Sequence, residues 1–138
     1  MNILVTGSAG FIGYSLCKKF LENTNFNVYG IDNIDRYYSI ILKNKRTKEL
    51  NKFKKFKFLK LDLKNDKSFK FLGKKKFKYI FHLAAQPGVR FSSTDPKRYI
   101  DENIIAFSKV LEFARYQKSS CTFFASSSSV YGDSKKFP

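Results

Sequence analysis

The stretch that decides the fold is Thr6-Gly7-Ser8-Ala9-Gly10-Phe11-Ile12-Gly13, which directly follows the apolar run Ile3-Leu4-Val5. The apolar run predicts a buried β-strand, and the residues from Phe11 onward have helical spacing. A glycine-rich turn between a strand and a helix N-terminus forms a cradle for phosphate groups. The sequence therefore predicts a dinucleotide site at this turn.

Each glycine of the turn has a separate expected use. Gly7 lets the chain turn sharply off the strand, Gly10 brings no Cβ against a pyrophosphate, and Gly13 lets the helix pack close to the sheet. The spacing is G-x-x-G-x-x-G rather than G-x-G-x-x-G, and glycine turns end many strands. A plain βαβ unit with no ligand is the alternative, so the dinucleotide prediction also requires a suitably placed acid after the next strand.

A second strand, Val28-Tyr29-Gly30-Ile31-Asp32, ends in a carboxylate. Asp32 comes about 20 residues after the last glycine, where an acid that binds the adenosine ribose is expected. Its carboxylate can accept two hydrogen bonds from the ribose diol and would repel a 2′-phosphate. The sequence therefore predicts NAD rather than NADP, and the nearby Arg36 is the residue that argues against this choice.

Length and composition favour one globular α/β domain over residues 1–138, with 43% hydrophobic residues. We expect no membrane partner and a cytoplasmic protein, because no signal peptide fits the start and no apolar run approaches about 18 residues. Cys17 and Cys121 have neither metal-ligand spacing nor a disulfide framework around them, so we interpret both as reduced core residues and predict no metal.

The charge is strongly positive, with 27 Lys and Arg against 11 Asp and Glu and a net charge of +16. Such a charge raises the question of nucleic acid. The lysines are spread over predicted helices, loops and one strand rather than gathered in a recognised nucleic-acid motif. We therefore expect no specific nucleic-acid partner, and only nonspecific polyanion binding at low salt.

Strand and helix patterns alternate along the chain, which is typical of a doubly wound parallel sheet. The predicted strands are 2–5, 27–31, 56–61, 79–83 and 121–125, and the predicted helices are 11–22, 39–51, 66–72 and 96–116. Lysines in the third strand predict a sheet edge, as in the order 3-2-1-4-5. Asp95 can cap the last helix, whose predicted sheet-facing stripe is Ile100, Ile104, Phe107, Leu111 and Ala114.

With these pieces the chain resembles the extended short-chain dehydrogenases/reductases, and among them the NAD-dependent nucleotide-sugar epimerases and dehydratases. The resemblance rests on the glycine turn, Asp32-Asn33, Asp62-Leu63, His82-Leu83-Ala84-Ala85-Gln86, Asn103 and the run from Ser126 to Gly132, all in family order. Tyr37-Tyr38 with Leu42-Lys43, and the stretch from Ala84 to Arg90, are similar to UDP-glucuronate 4-epimerases, including those of capsular polysaccharide biosynthesis. The resemblance implies a Rossmann fold, NAD and a UDP-sugar substrate.

The resemblance also implies roles for single residues. It assigns cofactor binding to Gly7, Gly10, Phe11, Ile12, Gly13, Asp32, Asn33, Asp62, Leu63, Leu83, Ala84 and Ala85. It makes Ser127 the catalytic hydroxyl that hydrogen-bonds the sugar oxygen, and it assigns substrate contacts to Gln86, Arg90, Asn103, Ser128 and Ser129. Alternatives stay open for three of these residues: Asp62 as a helix cap, Arg90 as a solvated loop side chain, and Asn103 as an ordinary helix position. His82, inside an apolar strand, is interpreted as structural rather than catalytic.

One part of the family pattern is missing. The family's base is a tyrosine four residues before a lysine, on the helix after the fifth strand, and residues 1–138 do not reach that helix. Tyr14-Ser15-Leu16-Cys17-Lys18 and Tyr131-Gly132-Asp133-Ser134-Lys135 have the spacing but lie in the cofactor helix and in the serine turn. We therefore expect a sheet truncated after its fifth strand, without the C-terminal substrate lobe and inactive alone.

Three functions remain open from the sequence. The first is the NAD-binding portion of an epimerase that inverts C4 of UDP-glucuronate through a 4-keto intermediate. The second is a fragment of a nucleotide-sugar 4,6-dehydratase, and the third is a module without catalysis, which binds either NAD or, as a basic protein that borrowed the fold, nucleic acid. Self-association through an open sheet edge, or a complementing C-terminal fragment, would result from the truncation.

Overall fold

The structure, a computed structural model, describes residues 1–73 and 75–133. Five parallel strands form one sheet in the order β3-β2-β1-β4-β5. Their bounds are β1 Asn2–Thr6, β2 Asn27–Asp32, β3 Phe56–Lys60, β4 Tyr79–His82 and β5 Cys121–Phe124. The predicted order and the predicted edge position of the third strand are confirmed.

Helices connect the strands and cover both faces of the sheet. They are α1 Phe11–Asn23, α2 Ile40–Leu50, α3 Asp66–Leu72, α4 Val89–Thr94, α5 Pro96–Ile100 and α6 Ala106–Gln117, with a short 3₁₀ turn at Ser128–Tyr131. Among the described residues, none of these helices is long and apolar enough to cross a membrane.

Alternation along β1 divides the core into two layers. Ile3 and Val5 point to the face that Cys17 of α1 and Leu50 of α2 cover. Leu4 points to the other face, which α3 and α6 cover. Side chains of a strand alternate between faces, so the fully apolar run of β1 is what a central strand of a two-sided sheet requires.

The predicted helix 96–116 is corrected in two respects. A π-helical turn, Asp101–Ile105, separates α5 from α6, and a further helix, α4, precedes α5. The predicted sheet-facing stripe is correct at Ala114, which is buried, and at Phe107, whose ring stacks on His82 of β4. It is wrong at Ile100, Ile104 and Leu111, which are exposed. The residues of α6 that are buried are Ala106, Val110, Phe113, Ala114 and Gln117.

The interpretation of the cysteines is half correct. Cys17 is buried in the core, where burial raises the pKa of its thiol to about 12. Cys121 is exposed, contrary to expectation, because β5 pairs only with β4 within the described sheet. Among the described residues no group of His, Cys, Asp and Glu could hold a metal ion.

Candidate functional site

The glycine turn has the tight geometry that its sequence predicted. Gly7 has φ +70, and a Cβ there would lie 2.8 Å from the backbone of Leu83 and Ala84 at the end of β4. A Cβ at Gly13 would lie 2.1 Å from the carbonyl oxygen of Gly7. Larger residues at either position would therefore break the contact between the turn, α1 and β4.

Gly10 differs from the other two glycines because the space beside it is nearly open. A Cβ there would meet only the Gly7 carbonyl oxygen, at 3.1 Å. Gly10 is also the N-cap of α1, and within the described residues no side chain caps this helix and no acid lies in its first turn. The first-turn N–H groups of α1 are therefore available to an anion, which fits the pyrophosphate of a dinucleotide.

A cavity of about 640 Å³ opens beside the turn, at the carboxyl ends of β1, β2 and β4. Its volume is in the range of sites for small molecules and cofactors. It is lined by every predicted cofactor residue except Asp62: Gly7, Gly10, Phe11, Ile12, Gly13, Asp32, Asn33, Leu63, Leu83, Ala84 and Ala85. The predicted substrate residue Gln86 lines it too.

Asp32 lies at the wall of this cavity and is 7% exposed. Its Oδ2 accepts from the backbone N–H of Ala9 at 3.2 Å, and its Oδ1 accepts from that of Ile34 at 2.8 Å. The second bond holds Ile34 at φ 58, a left-handed conformation that a β-branched residue rarely adopts. The carboxylate is thus fixed in orientation, as a group that recognises a ribose diol must be.

Two basic residues of α2 share the cavity with Asp32. The sequence analysis named Lys43 only as part of the resemblance and gave neither residue a role in the site. The Nζ of Lys43 lies 3.4 Å from Asp32 Oδ1, and both side chains are largely buried. Arg46 donates to the carbonyl oxygen of Ala9 at 3.3 Å and stacks over the ring of Phe11. Lys43 and Arg46 are three positions apart in the predicted helix, so they share one of its faces. This spacing was the sequence signal that could have indicated a basic face beside the site.

Across the cavity, the loop after β2 is tied to the segment after β4. Arg98 of α5 forms an ion pair with Asp35 and stacks over the ring of Phe91. Burial opposes ionisation of Asp35, but the backbone N–H of Tyr37 and the Arg98 guanidinium outweigh it and lower the pKa of the Asp35 carboxyl. Tyr37 also packs edge-on against Phe91. These contacts join the two sides of the cavity.

Asp62 lies outside the lining of this cavity in the described structure. Its Oδ1 accepts from the backbone N–H of Lys64 at 2.9 Å, and its Oδ2 lies 3.6 Å from Lys64 Nζ. Asn65, not Asp62, caps α3. The carboxylate therefore orders the loop after β3 in this structure, and its predicted contact with adenine stays a prediction.

Asn103 lies in the π-helical turn and binds the backbone of Gln86 twice. Its Oδ1 accepts from the Gln86 N–H at 2.7 Å, and its Nδ2 donates to the Gln86 carbonyl at 3.0 Å. In the same turn Glu102 pairs with Lys64. Burial lowers the pKa of Lys64, and the bonds to Glu102 and Asp62 more than offset it, so the pKa is raised. The π turn thus fixes the loop after β4.

The serine run follows β5 at the same edge of the sheet. The Oγ of Ser127 accepts from the backbone N–H of Ser129 at 3.2 Å, and the two hydroxyls are 3.1 Å apart. Ser127, Ser128 and Ser129 are exposed and lie outside the cavity lining. Arg90 is exposed on α4 and is likewise outside the lining. Their predicted contacts with substrate stay predictions.

His82 is buried in β4, as its structural interpretation required. Its Nδ1 lies 2.8 Å from Thr6 Oγ1, and its ring stacks on Phe107. Thr6 Oγ1 accepts from the backbone N–H groups of Leu83 and Ala84. The threonine hydroxyl can therefore donate to Nδ1 of a neutral ring. Burial lowers the pKa of His82 to about 4.

Of the two segments with tyrosine-lysine spacing, the structure describes both residues of the first only, and neither Tyr14 nor Lys18 lines the cofactor cavity. Tyr14 and Lys18 lie beside a separate cavity between α1 and α2. Tyr131 is exposed in the 3₁₀ turn, and Ser134 and Lys135 lie outside the described residues.

Comparison with known proteins places these features in a family. A family model described as GDP-mannose 4,6 dehydratase matches residues 4–138. The protein CapI of Staphylococcus aureus is 42% identical over 139 residues, which cover 100% of this chain and 41% of CapI. A probable UDP-glucuronate 4-epimerase of Rhizobium meliloti is 35% identical over 139 residues, covering 100% of this chain and 40% of that protein.

Solved structures agree with the sequence comparison. A UDP-glucuronic acid 4-epimerase from Bacillus cereus, crystallised with UDP-glucuronic acid and NAD, superposes with a TM-score of 0.88 at 36% identity. The match covers 99% of this chain and 43% of the B. cereus chain. The chain thus spans about two fifths of the length of the relatives it matches.

Proposed function

The chain belongs to the GDP-mannose 4,6 dehydratase family, and we propose that it is the NAD-binding part of a nucleotide-sugar epimerase that inverts C4 of UDP-glucuronate. The observation that carries the proposal is the cavity beside Gly10. It gathers a tight glycine turn, an uncapped helix N-terminus and a fixed carboxylate at the carboxyl edge of a parallel sheet. The superposition on an epimerase solved with UDP-glucuronic acid and NAD supports the choice of ligands.

Different residues of the cavity bind different parts of the cofactor. The N-terminus of α1 at Gly10 receives the pyrophosphate, and Asp32 accepts hydrogen bonds from the adenosine ribose. Small side chains at Ala84 and Ala85 leave room at the end of β4. When bound there, NAD would serve as the acceptor of the hydride from C4 and, once reduced, as the donor of the hydride to the other face of the sugar.

The substrate contacts come from the loops after β4 and β5. Ser127 hydrogen-bonds the sugar oxygen that loses its proton, and Ser128 and Ser129 contact the sugar. Gln86, held by Asn103, lies on the substrate side of the cavity. Arg90 can meet the uronate carboxylate or a phosphate. Asn103 acts by holding the loop rather than by touching the sugar.

The remaining chemistry belongs to a part of the relatives that residues 1–138 do not match. In the family that this chain resembles, a tyrosine four residues before a lysine is the general base and then the general acid. A C-terminal lobe completes the substrate site. We therefore expect a polypeptide of residues 1–138 to be inactive alone, and we expect the C-terminal portion of a relative, joined covalently or associated, to give turnover.

The dehydratase alternative keeps one observation in its favour, the description of the matching family model. A 4,6-dehydratase eliminates a hydroxyl from C6 of its sugar, and a uronate carries a carboxylate at C6 instead. The identity of the accepted nucleotide sugar therefore separates the two activities.

The test is a chimera in which residues 1–138 replace the matching segment of the B. cereus epimerase, incubated with UDP-glucuronate. We expect UDP-galacturonate by chromatography, and a loss of turnover in the same chimera with Ser127→Ala. The matched control is Ser120→Ala, which changes a serine at the opposite edge of the sheet. A folded chimera that binds NAD without turnover would contradict the proposal, as would full activity in the Ser127→Ala chimera.

A further inference from the structure

The acidic residues of this chain are concentrated at one edge of the sheet, whereas basic residues occur at both edges. Eight of the 11 acidic residues follow the carboxyl end of a strand, either directly or within the first half of the connection to the next strand. They are Asp32, Asp35, Asp62, Asp66, Asp95, Asp101, Glu102 and Asp133. The other three are Glu22 and Glu49, in the last turns of α1 and α2, and Glu112, in the middle of α6. Each of those three is within salt-bridge distance of a basic side chain.

The opposite edge, where the strands begin, carries lysines without matching acids. We call it the basic edge and define it by the exposed lysines of the loops before β3, β4 and β5: Lys54, Lys55, Lys75, Lys76, Lys78 and Lys118. None of these six forms a salt bridge with a carboxylate in the part of the chain that the structure describes. Lys55 donates to the side-chain oxygen of Asn25, and Lys78 lies over the ring of Tyr79.

Backbone hydrogen bonds hold these loops side by side. The N–H of Val28 donates to the carbonyl of Lys55, and the N–H of Lys78 donates to that of Asn2. On the other side, the N–H of Ser120 donates to the carbonyl of Lys78. Neighbouring strands are about 4.8 Å apart, so the lysines lie along one edge of a five-stranded sheet about 20 Å wide. Two exposed aromatic side chains adjoin it, Phe71 at the end of α3 and Tyr116 at the end of α6.

We infer that the basic edge docks the protein on an anionic lipid surface, with the cofactor cavity facing the solution. Clustered lysines are attracted to anionic headgroups, each contributing to the affinity, and aromatic side chains favour the interfacial region. The cavity lies at the carboxyl ends of the strands, about 15 to 20 Å from the basic edge. Docking in this orientation leaves the site open to a soluble nucleotide sugar.

Docking of this kind uses the surface charge and needs no spanning helix, so the inference departs from the expectation, drawn from the sequence, of no membrane partner. The arrangement favours a lipid surface over nucleic acid. Proteins that bind single-stranded nucleic acid combine a basic groove with stacking aromatic side chains. The lysines of the basic edge lie on three separate loops, and the cavity between α1 and α2 is lined in part by the acids Glu22 and Glu49.

The test is flotation of the protein with vesicles of phosphatidylcholine alone and of phosphatidylcholine containing one third phosphatidylserine. We expect binding to the anionic vesicles only, lost as the salt rises well above about 0.15 M. Lys75→Glu/Lys76→Glu/Lys78→Glu should weaken binding by about a hundredfold or more, since each lysine near the surface contributes about 1 kcal/mol. The matched control is Lys60→Glu/Lys67→Glu/Lys97→Glu, which makes the same charge change at the cofactor edge.

Three results would overturn the inference: no binding to anionic vesicles, equal losses in both triple variants, or binding to single-stranded RNA with none to vesicles at the same salt. Circular dichroism reports whether each triple variant folds. The Lys→Gln versions of the same triples, which remove charge without adding acids, provide the comparison if a Glu variant unfolds. In the native chain, Phe71→Ser leaves the charge unchanged and should still reduce binding to the anionic vesicles.

Discussion

Lys43 Nζ lies 3.4 Å from Asp32 Oδ1 inside the proposed cofactor cavity, with side chains that are 11% and 6% exposed. Asp32 is therefore not an isolated anion. The lysine offsets part of its charge, and the backbone N–H groups of Ala9 and Ile34 fix its orientation. Selectivity against a 2′-phosphate then depends on the carboxylate and the lysine together.

Replacing Asp32 should reverse the cofactor preference. The native chain should bind NAD more tightly than NADP, because the 2′-phosphate would displace the hydrogen bonds between the ribose and Asp32. In Asp32→Ala the ammonium of Lys43 loses its partner and can pair with the 2′-phosphate, so NADP should bind about tenfold more tightly than to the native chain. Titration calorimetry with both cofactors measures this.

The control for that titration is Asp32→Ala/Lys43→Met, which removes both charges. It should bind NAD and NADP about equally. Equal or tighter binding of NADP by the native chain would contradict the role given to Asp32. An Asp32→Ala variant without any gain in NADP affinity would contradict the role given to Lys43.

Local patterns were sufficient to predict the strand order and the glycine turn, because each depends on a few neighbouring residues. The apolar runs of β1 and β4 and the lysines of β3 indicate central and edge strands. Gly7 and Gly13 are required by contacts that any βαβ turn of this kind makes.

Lys43 and the π-helical turn could not be predicted in the same way. A lysine is normally a surface residue, and only the fold shows that Asp32 lies opposite it. The π turn at Asp101–Ile105 shifts the buried face of the next helix away from the stripe through Ile100 and Ile104. Within this turn Asn103 binds the backbone of Gln86, a tertiary contact that local sequence does not reveal.

Stability should fall as the pH falls because of His82. Burial lowers the pKa of its ring from 6.5 to about 4. Above pH 6.5 the ring is neutral in both states. Between those values the unfolded chain takes up a proton that the folded chain does not, so the free energy of unfolding should fall by up to about 1.4 kcal/mol per pH unit.

Urea unfolding between pH 7.5 and pH 5 measures this effect in the native chain and in His82→Gln, where no imidazole titrates. The native chain should lose about 1 to 2 kcal/mol more than the variant over this range. Equal pH dependence of the two proteins would show that His82 is charged in the folded state or remains accessible to water.

A chain of residues 1–138 should self-associate through β5. Within the described sheet β5 has a partner on one side only, and Phe123 and Phe124 are about half exposed. An open apolar edge favours pairing with another chain. Light scattering should show species larger than a monomer, and Phe124→Lys should shift them toward the monomer.

Ile41→Lys provides the matched control, because Ile41 is an exposed apolar residue of α2, away from β5. It should leave the association unchanged. A stable monomer of the native chain at high concentration would contradict the prediction, as would an equal effect of the two substitutions.

The central claim is that NAD binds at the uncapped N-terminus of α1 beside Gly10. Titration calorimetry of residues 1–138 with NAD tests it most directly when Gly10→Val and Gly73→Val are compared. A Cβ at Gly10 would lie 3.1 Å from the Gly7 carbonyl oxygen, and one at Gly73 would lie 3.2 Å from that of Phe69, so the two substitutions crowd the backbone to a similar degree. Of these two glycines, Gly10 lines the cavity and Gly73 does not. We expect NAD binding by the native chain and by Gly73→Val, with a loss of about thirtyfold or more in Gly10→Val, equivalent to about 2 kcal/mol. A native chain that does not bind NAD, or a folded Gly10→Val that binds it as tightly as the native chain, would contradict the claim.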